Sequence, residues 1–275
     1  MISKKKQELL KKIANKTLLP LGLELHRRKG YLRVRPDKQN QATAGYIVEF
    51  LGPSAIGKNT IFNKCKNKLN HAWNYDYDSE KFRSVTLDEI LGSAYKNILC
   101  LRLDKVRESS RPILSETEAI INIVKRIQGD ISMRGVNYTR GFFLREGLFA
   151  YFSSAINDLN KEQLKNLMSN RSFIIILPEK TETAVLRFIE RMHTTGKQRN
   201  YFSHMSRDEL YEAQDRAINT HRKFGLVVES LGCPVLWLKA EDDVESNAKR
   251  VIDFESTTVI AESVQRTQSQ KLFNL

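Results

Sequence analysis

A chain of 275 residues can bury a sizeable core, and its length suits one α/β domain with appendages better than two full domains. Hydrophobic residues at 41% and charged residues at 28% mark a globular protein, with no apolar run near the ~20 residues of a membrane-spanning helix. The 45 basic residues outnumber the 32 acidic ones, and the net charge of +13 calls for an anionic partner: a nucleotide, a nucleic acid, a phosphorylated glycan or a membrane face.

The chain opens on Met1-Ile-Ser-Lys4 without an apolar leader, so the expected location is the cytoplasm. Residues 3–16 place Leu9, Leu10, Ile13 and Ala14 at helical spacing with lysines opposite, and Pro20 and Gly22 end that pattern. Glu24 to Pro36 alternates weakly around Gly30 and predicts a small hairpin, followed by a polar linker over 37–45. Residues 1–44 therefore read as a basic helix-and-hairpin appendage. Such a helix could lie on anionic lipid, but its apolar face is small and lacks Trp and Phe. Cys65, Cys100 and Cys233 are too few and scattered for a disulfide framework or a zinc site, and read as small core residues.

Tyr46 to Leu51 is a short apolar strand, and Gly52-Pro53-Ser54-Ala55-Ile56-Gly57-Lys58-Asn59-Thr60 carries it through a glycine-bracketed loop into an amphipathic helix. Glycines at both ends let the backbone turn and aim N–H groups at an anion. The helix start near Gly57 adds the positive end of its dipole, and Lys58 can reach the outer phosphates. These residues resemble the Walker A motif of P-loop nucleoside-triphosphate-binding proteins, which implies a bound triphosphate, ATP, with Mg²⁺. Where that family has a metal-binding Ser or Thr, this chain has Asn59, with Thr60 one residue on, so Asn59 is at most a weak metal ligand.

Residues 71–84, with Trp73, Tyr75 and Tyr77 among polar residues, read as an exposed loop. Leu87 to Val106 and Thr117 to Ile131 predict two long helices, the second opened by the capping-box-like Ser115-Glu-Thr-Glu118. In P-loop small-molecule kinases such an insertion, here 71–140, forms the acceptor region; a helical cap without a ligand is the alternative.

Gly141 to Gly147 predicts a buried strand that ends in charge. Phe-Leu-Arg145-Glu146-Gly-Leu resembles strand ends of nucleotide and nucleoside kinases, where a carboxylate orients the acceptor hydroxyl or a metal-bound water. The resemblance implies that Glu146 is a base or metal-shell ligand, with Arg145 where an acid often stands; a surface Arg145–Glu146 salt bridge is the other reading.

Ser172 to Pro178 reads as a central strand, and Glu182 to Arg191 as a helix leading to the basic segment Met192 to Asn200. This order resembles thymidylate-kinase-like enzymes, whose lid closes over the phosphates. It implies phosphate-facing roles for Arg187, Arg191, Lys197 and Arg199 and a lid over 192–205; a solvated basic loop is the alternative. Ser206 to Leu231 predicts a helix, Pro234 to Lys239 the last parallel strand, Ala240 to Asp243 a loop where P-loop kinases pass the adenine, and Val244 to Phe254 the closing helix. Residues 256–275 read as a loosely held tail.

The expected architecture is a three-layer α/β P-loop fold with a mostly parallel sheet over 45–255. The expected activity is ATP-dependent, Mg²⁺-assisted phosphoryl transfer to an anionic or hydroxyl-bearing small molecule, a nucleotide or a sugar unit. Two rivals are an NTPase used as a switch or on nucleic acid, against which no RNA-recognition signature or internal repeat appears, and a sulfotransferase, which the full G-x-x-x-x-G-K disfavours.

Overall fold

Five strands form one sheet, and its three inner strands are near-continuous apolar runs buried on both faces because helices cover both sides. The computed structural model describes residues 23–28, 31–36, 45–69, 73–75, 89–107, 113–135, 141–195 and 205–273. Strands β1 (Leu23–Arg28) and β2 (Tyr31–Pro36) pair antiparallel as the expected hairpin; the basic helix over 3–16 lies outside the described residues.

The main sheet contains β3 (Ile47–Leu51), β4 (Trp73–Asn74), β5 (Gly141–Leu144), β6 (Arg171–Leu177) and β7 (Val235–Lys239). Its order is β4-β5-β3-β6-β7, and every pairing is parallel. The helices are α1 (Lys58–Lys68), α2 (Glu89–Arg107), α3 (Ile113–Gly135), α4 (Phe149–Phe152, continued by a 3-10 turn over Ser153–Asp158), α5 (Lys161–Met168), α6 (Thr181–Thr195), α7 (Arg207–Ser230) and α8 (Val244–Phe273).

The period of two in β3 sorts the layers. Val48 and Phe50 face Ile61, Phe62 and Cys65 of α1 and Ala248 and Val251 of α8. Leu51, with Phe173 and Ile175 of β6, faces α4, α5 and α7 through Phe149, Leu167, Phe224 and Val228. This is the expected three-layer α/β architecture, with a wholly parallel main sheet.

Four local expectations need correction. Trp73 is buried rather than in an exposed loop, and its two-residue strand is held at the sheet edge by an aromatic cluster. Phe143 meets Phe62 at 5.5 Å, Trp73 at 5.8 Å and Tyr75 at 6.0 Å, pairs worth about 0.5–1.5 kcal/mol each beyond area burial. Helix α3 begins at Ile113, directly after Pro112 in the sequence, so Ser115 is inside the helix instead of capping it; proline near a helix start was the stronger signal. Cys100 is exposed on α2, whereas Cys65 and Cys233 are buried as expected. Helix α8 does not close at Phe254 but continues through the supposed tail to Phe273.

Because all five strands run the same way, the loops that follow them share one edge of the sheet. Crevices at this edge are where open α/β sheets bind ligands.

Candidate functional site

The loop between β3 and α1 is built on two glycines that other residues cannot replace without strain. Gly52 has φ +140°, and a Cβ there would lie 2.3 Å from the carbonyl oxygen of Ile176; Gly57 caps α1 at φ +95°. Ala55 between them also has a positive φ of 64°, an uncommon conformation for a side-chain-bearing residue. It is held by packing against Val185 and Phe188 of α6 and Leu210 of α7.

Lys58 is 9% exposed and curls back over the loop, where its Nζ donates to the carbonyl oxygens of Gly52 at 2.6 Å and Pro53 at 2.5 Å. Burial lowers its pKa to about 8; Glu146 opposes the shift and Arg191 adds to it. These two influences place a carboxylate and a guanidinium in the lysine's field. Residues Ser54 to Thr60, Arg145, Glu146 and Arg191 line a single cleft of about 400 Å³.

Glu146 stands just past β5. Tyr151 of α4 donates its hydroxyl to Glu146 Oε2 at 2.6 Å, and Arg126 of α3 donates to that phenol oxygen at 2.8 Å and to the Glu146 carbonyl at 2.9 Å. The Arg126 guanidinium also lies 4.2 Å over the Tyr151 ring. The carboxylate is thus held by a phenol, and no ion pair joins it to Arg145.

Arg187 of α6 departs from the expected grouping. It donates to the carbonyl of Ile56 at 3.4 Å and lines a neighbouring cleft of about 380 Å³. That cleft also has in its walls Ile61 of α1, Ala240 and Asp242 from the loop after β7, and Val244 at the start of α8; Thr60 and Arg191 border both clefts. Lys197 and Arg199 lie outside the described residues. Residues 192–195 of the expected lid are the last turn of α6, which runs on because its helical pattern continues beyond Arg191.

Asn59 and Thr60 are exposed on the first turn of α1 and face the same cleft. Among the described residues no cluster of three His, Cys, Asp or Glu forms a protein-only metal cage. Sparse oxygen donors fit Mg²⁺, which keeps several waters and takes one or two protein ligands beside phosphate.

Arg126, Tyr151 and Glu49, described below, were not singled out from sequence. Glu49 is visible there as the lone charge in an apolar strand, whereas the other two are marked only by contacts formed in the fold.

No protein-family model matches the chain, and no curated protein matches it. Among solved structures the chain is similar to deoxyadenosine kinase from M. mycoides with bound dCTP, at 14% identity over 77% of this chain and 99% of that one, with a TM-score of 0.38. It is also similar to deoxyadenosine kinase from M. mycoides with bound dATP, at 15% identity over 76% of this chain and 97% of that one, with a TM-score of 0.35. At this level of likeness the reading of the site rests on its own side chains.

Proposed function

We propose that this chain is an ATP-dependent phosphotransferase acting on a small molecule that carries an anionic group. The observation behind the proposal is the single cleft shared by Ser54 to Thr60, Arg145, Glu146 and Arg191. A phosphate cradle alone would suit any triphosphate-binding protein. A carboxylate facing it from another strand end adds a group that can take an acceptor proton.

In this reading the loop N–H groups and Lys58, once released from the Gly52 and Pro53 carbonyls, hold the phosphates. The neighbouring cleft takes the nucleobase, with apolar walls from Ile61, Ala240 and Val244 and the Arg187 guanidinium at its side. Arg191, bordering both clefts, meets the transferring group, whose spreading charge suits a planar fork of donors. Glu146 has one oxygen engaged by Tyr151 and uses the other to accept the acceptor's hydroxyl proton. Arg145, exposed in the cleft, pairs with the acceptor's negative charge. Asn59 and Thr60 are the residues that would hold magnesium, which when bound neutralises phosphate charge. The protein's contribution is positioning and charge stabilisation more than covalent chemistry.

The test is transfer from γ-labelled ATP to a panel of hydroxyl-bearing phosphates, carboxylates and neutral sugars. Labelled product is expected with an anionic acceptor. Lys58→Ala should abolish it, and Glu146→Gln should lower turnover by ~10²–10⁴-fold with ATP affinity nearly unchanged. Phosphate release that ignores every acceptor would indicate a switch NTPase, and wild-type turnover in Glu146→Gln would remove the base.

A further inference from the structure

Glu49 is fully buried in the central strand of the sheet, the one charge in an otherwise apolar run. Ionised groups in such surroundings lose several kcal/mol of hydration unless partners replace the water. Glu49 has partners on two sides. Its Oε2 accepts from Arg171 Nη1 of β6 at 2.8 Å, and its Oε1 accepts from the backbone N–H of Ala150 at 2.8 Å, with the Phe149 N–H close by. Arg171, also fully buried, reaches Asp130 of α3 with its other amine, and Asp130 is met by Arg134 at 3.3 Å and by the Tyr95 hydroxyl of α2.

The carboxyl group also lies directly under the loop that carries Arg145 and Glu146. A Cβ built on Gly147 would be 2.6 Å from the carboxyl carbon of Glu49, so the loop approaches as closely as a glycine permits. The Arg171 guanidinium sits 5.2 Å from the Phe149 ring at the start of α4. A buried ion pair is a poor source of stability, since apolar residues of similar volume often do as well. Directional bonds do something apolar packing cannot: they set where the backbone at 147–150 lies.

We infer, resting on the reading of Glu146 as the acceptor's base, that Glu49 is a positioning residue that fixes from beneath the loop presenting Arg145 and Glu146 to the cleft. Tyr151 and Arg126 hold the same loop from its outer side. An ångström of misplacement at a reacting group can cost ~10²-fold in rate, so release of either hold shows in turnover. The phosphate cradle, whose glycine turn and Lys58 hydrogen bonds involve neither Glu49 nor Gly147, keeps its own geometry.

The experiment compares Glu49→Gln, which keeps the shape but deletes the charge facing Arg171, with Gly147→Ala, which leaves every charge in place and puts a methyl against the carboxyl. Steady-state kinetics and ATP titration by calorimetry are run on the full chain beside Glu146→Gln. Each variant is expected to lower kcat by roughly 10- to 100-fold while the ATP KM and Kd stay within about twofold of wild type. Wild-type kcat in both, or a kcat loss matched by an equal loss of ATP affinity, overturns the positioning role. If neither variant folds, Glu49 is a general structural residue and the role is likewise overturned. Undiminished turnover in Glu146→Gln would instead reject the base assignment, whatever the Glu49 variants do.

Discussion

Lys58 connects burial to chemistry more directly than any other side chain in the cleft. Its pKa falls to about 8 because the folded loop strips water from the ammonium, with Arg191 adding like charge and Glu146 only partly offsetting both. A base with a lowered pKa loses its proton earlier as pH rises, so above about pH 8 the free protein presents a neutral amine to the triphosphate. Bound phosphate restores the preference for the charged form. kcat/KM for ATP, which reports the free enzyme, should therefore fall about tenfold per pH unit above 8, while kcat stays nearly level. Steady-state kinetics between pH 7 and 9.5 would show this, and a level kcat/KM to pH 9.5 would mean that the lysine keeps its proton. This residue was legible in sequence because the turn, the glycines and the lysine are contiguous. Glu49, Arg126 and Tyr151 were not singled out, because what gives them a role is contact between strands and helices far apart in the chain.

At the level of elements, α6 carries two candidate arginines one helical turn apart that share one cleft, yet only Arg191 also borders the cleft of Lys58. Arg187 is drawn to the Ile56 carbonyl, and Arg191 borders the lysine's cleft. Arg191→Ala should thus depress turnover by roughly 10²–10³-fold, as loss of a transition-state donor does, and weaken ATP binding by far less. Equal effects on kcat and ATP Kd would place Arg191 in ground-state binding alone. The strands β3, β5, β6 and β7 were readable as apolar runs bounded by glycine, proline or charge. β4 was not, since two residues carry no period and its strand character comes from packing of Trp73 and Tyr75 on Phe143. Helix α5 has an Asn160–Gln163 capping box that was legible in principle, and both of its reciprocal bonds are made. The extension of α8 to Phe273 was missed because Ser, Thr and Gln are common in tails and a weakly amphipathic helix gives little periodic signal.

Across the whole molecule, buried ionisable groups pull stability in opposite directions as pH changes. Burial raises the pKa of Glu255 to about 7, so folding favours its protonated form and it contributes stability that declines as pH rises from about 4.5 to 7. His221 works the other way. It is 6% exposed on α7, its Nδ1 has no hydrogen-bond partner among the described residues, and burial, with Lys58 adding like charge, lowers its pKa from 6.5 to about 4. Between those values the unfolded chain takes up a proton that the folded protein refuses, so the histidine's contribution to stability is lost as pH falls from 6.5 towards 4. The two effects partly cancel in the wild-type profile, but a substitution at His221 separates them. His221→Gln removes the titration and retains a polar side chain of similar reach. The wild type should then lose on the order of 2 to 3 kcal/mol relative to this variant between pH 7 and pH 4.5, measured as the difference in urea unfolding free energies. Stability curves that stay parallel over this range would mean that His221 is protonated in the fold, and that water or a neighbouring carboxylate reaches a site otherwise closed.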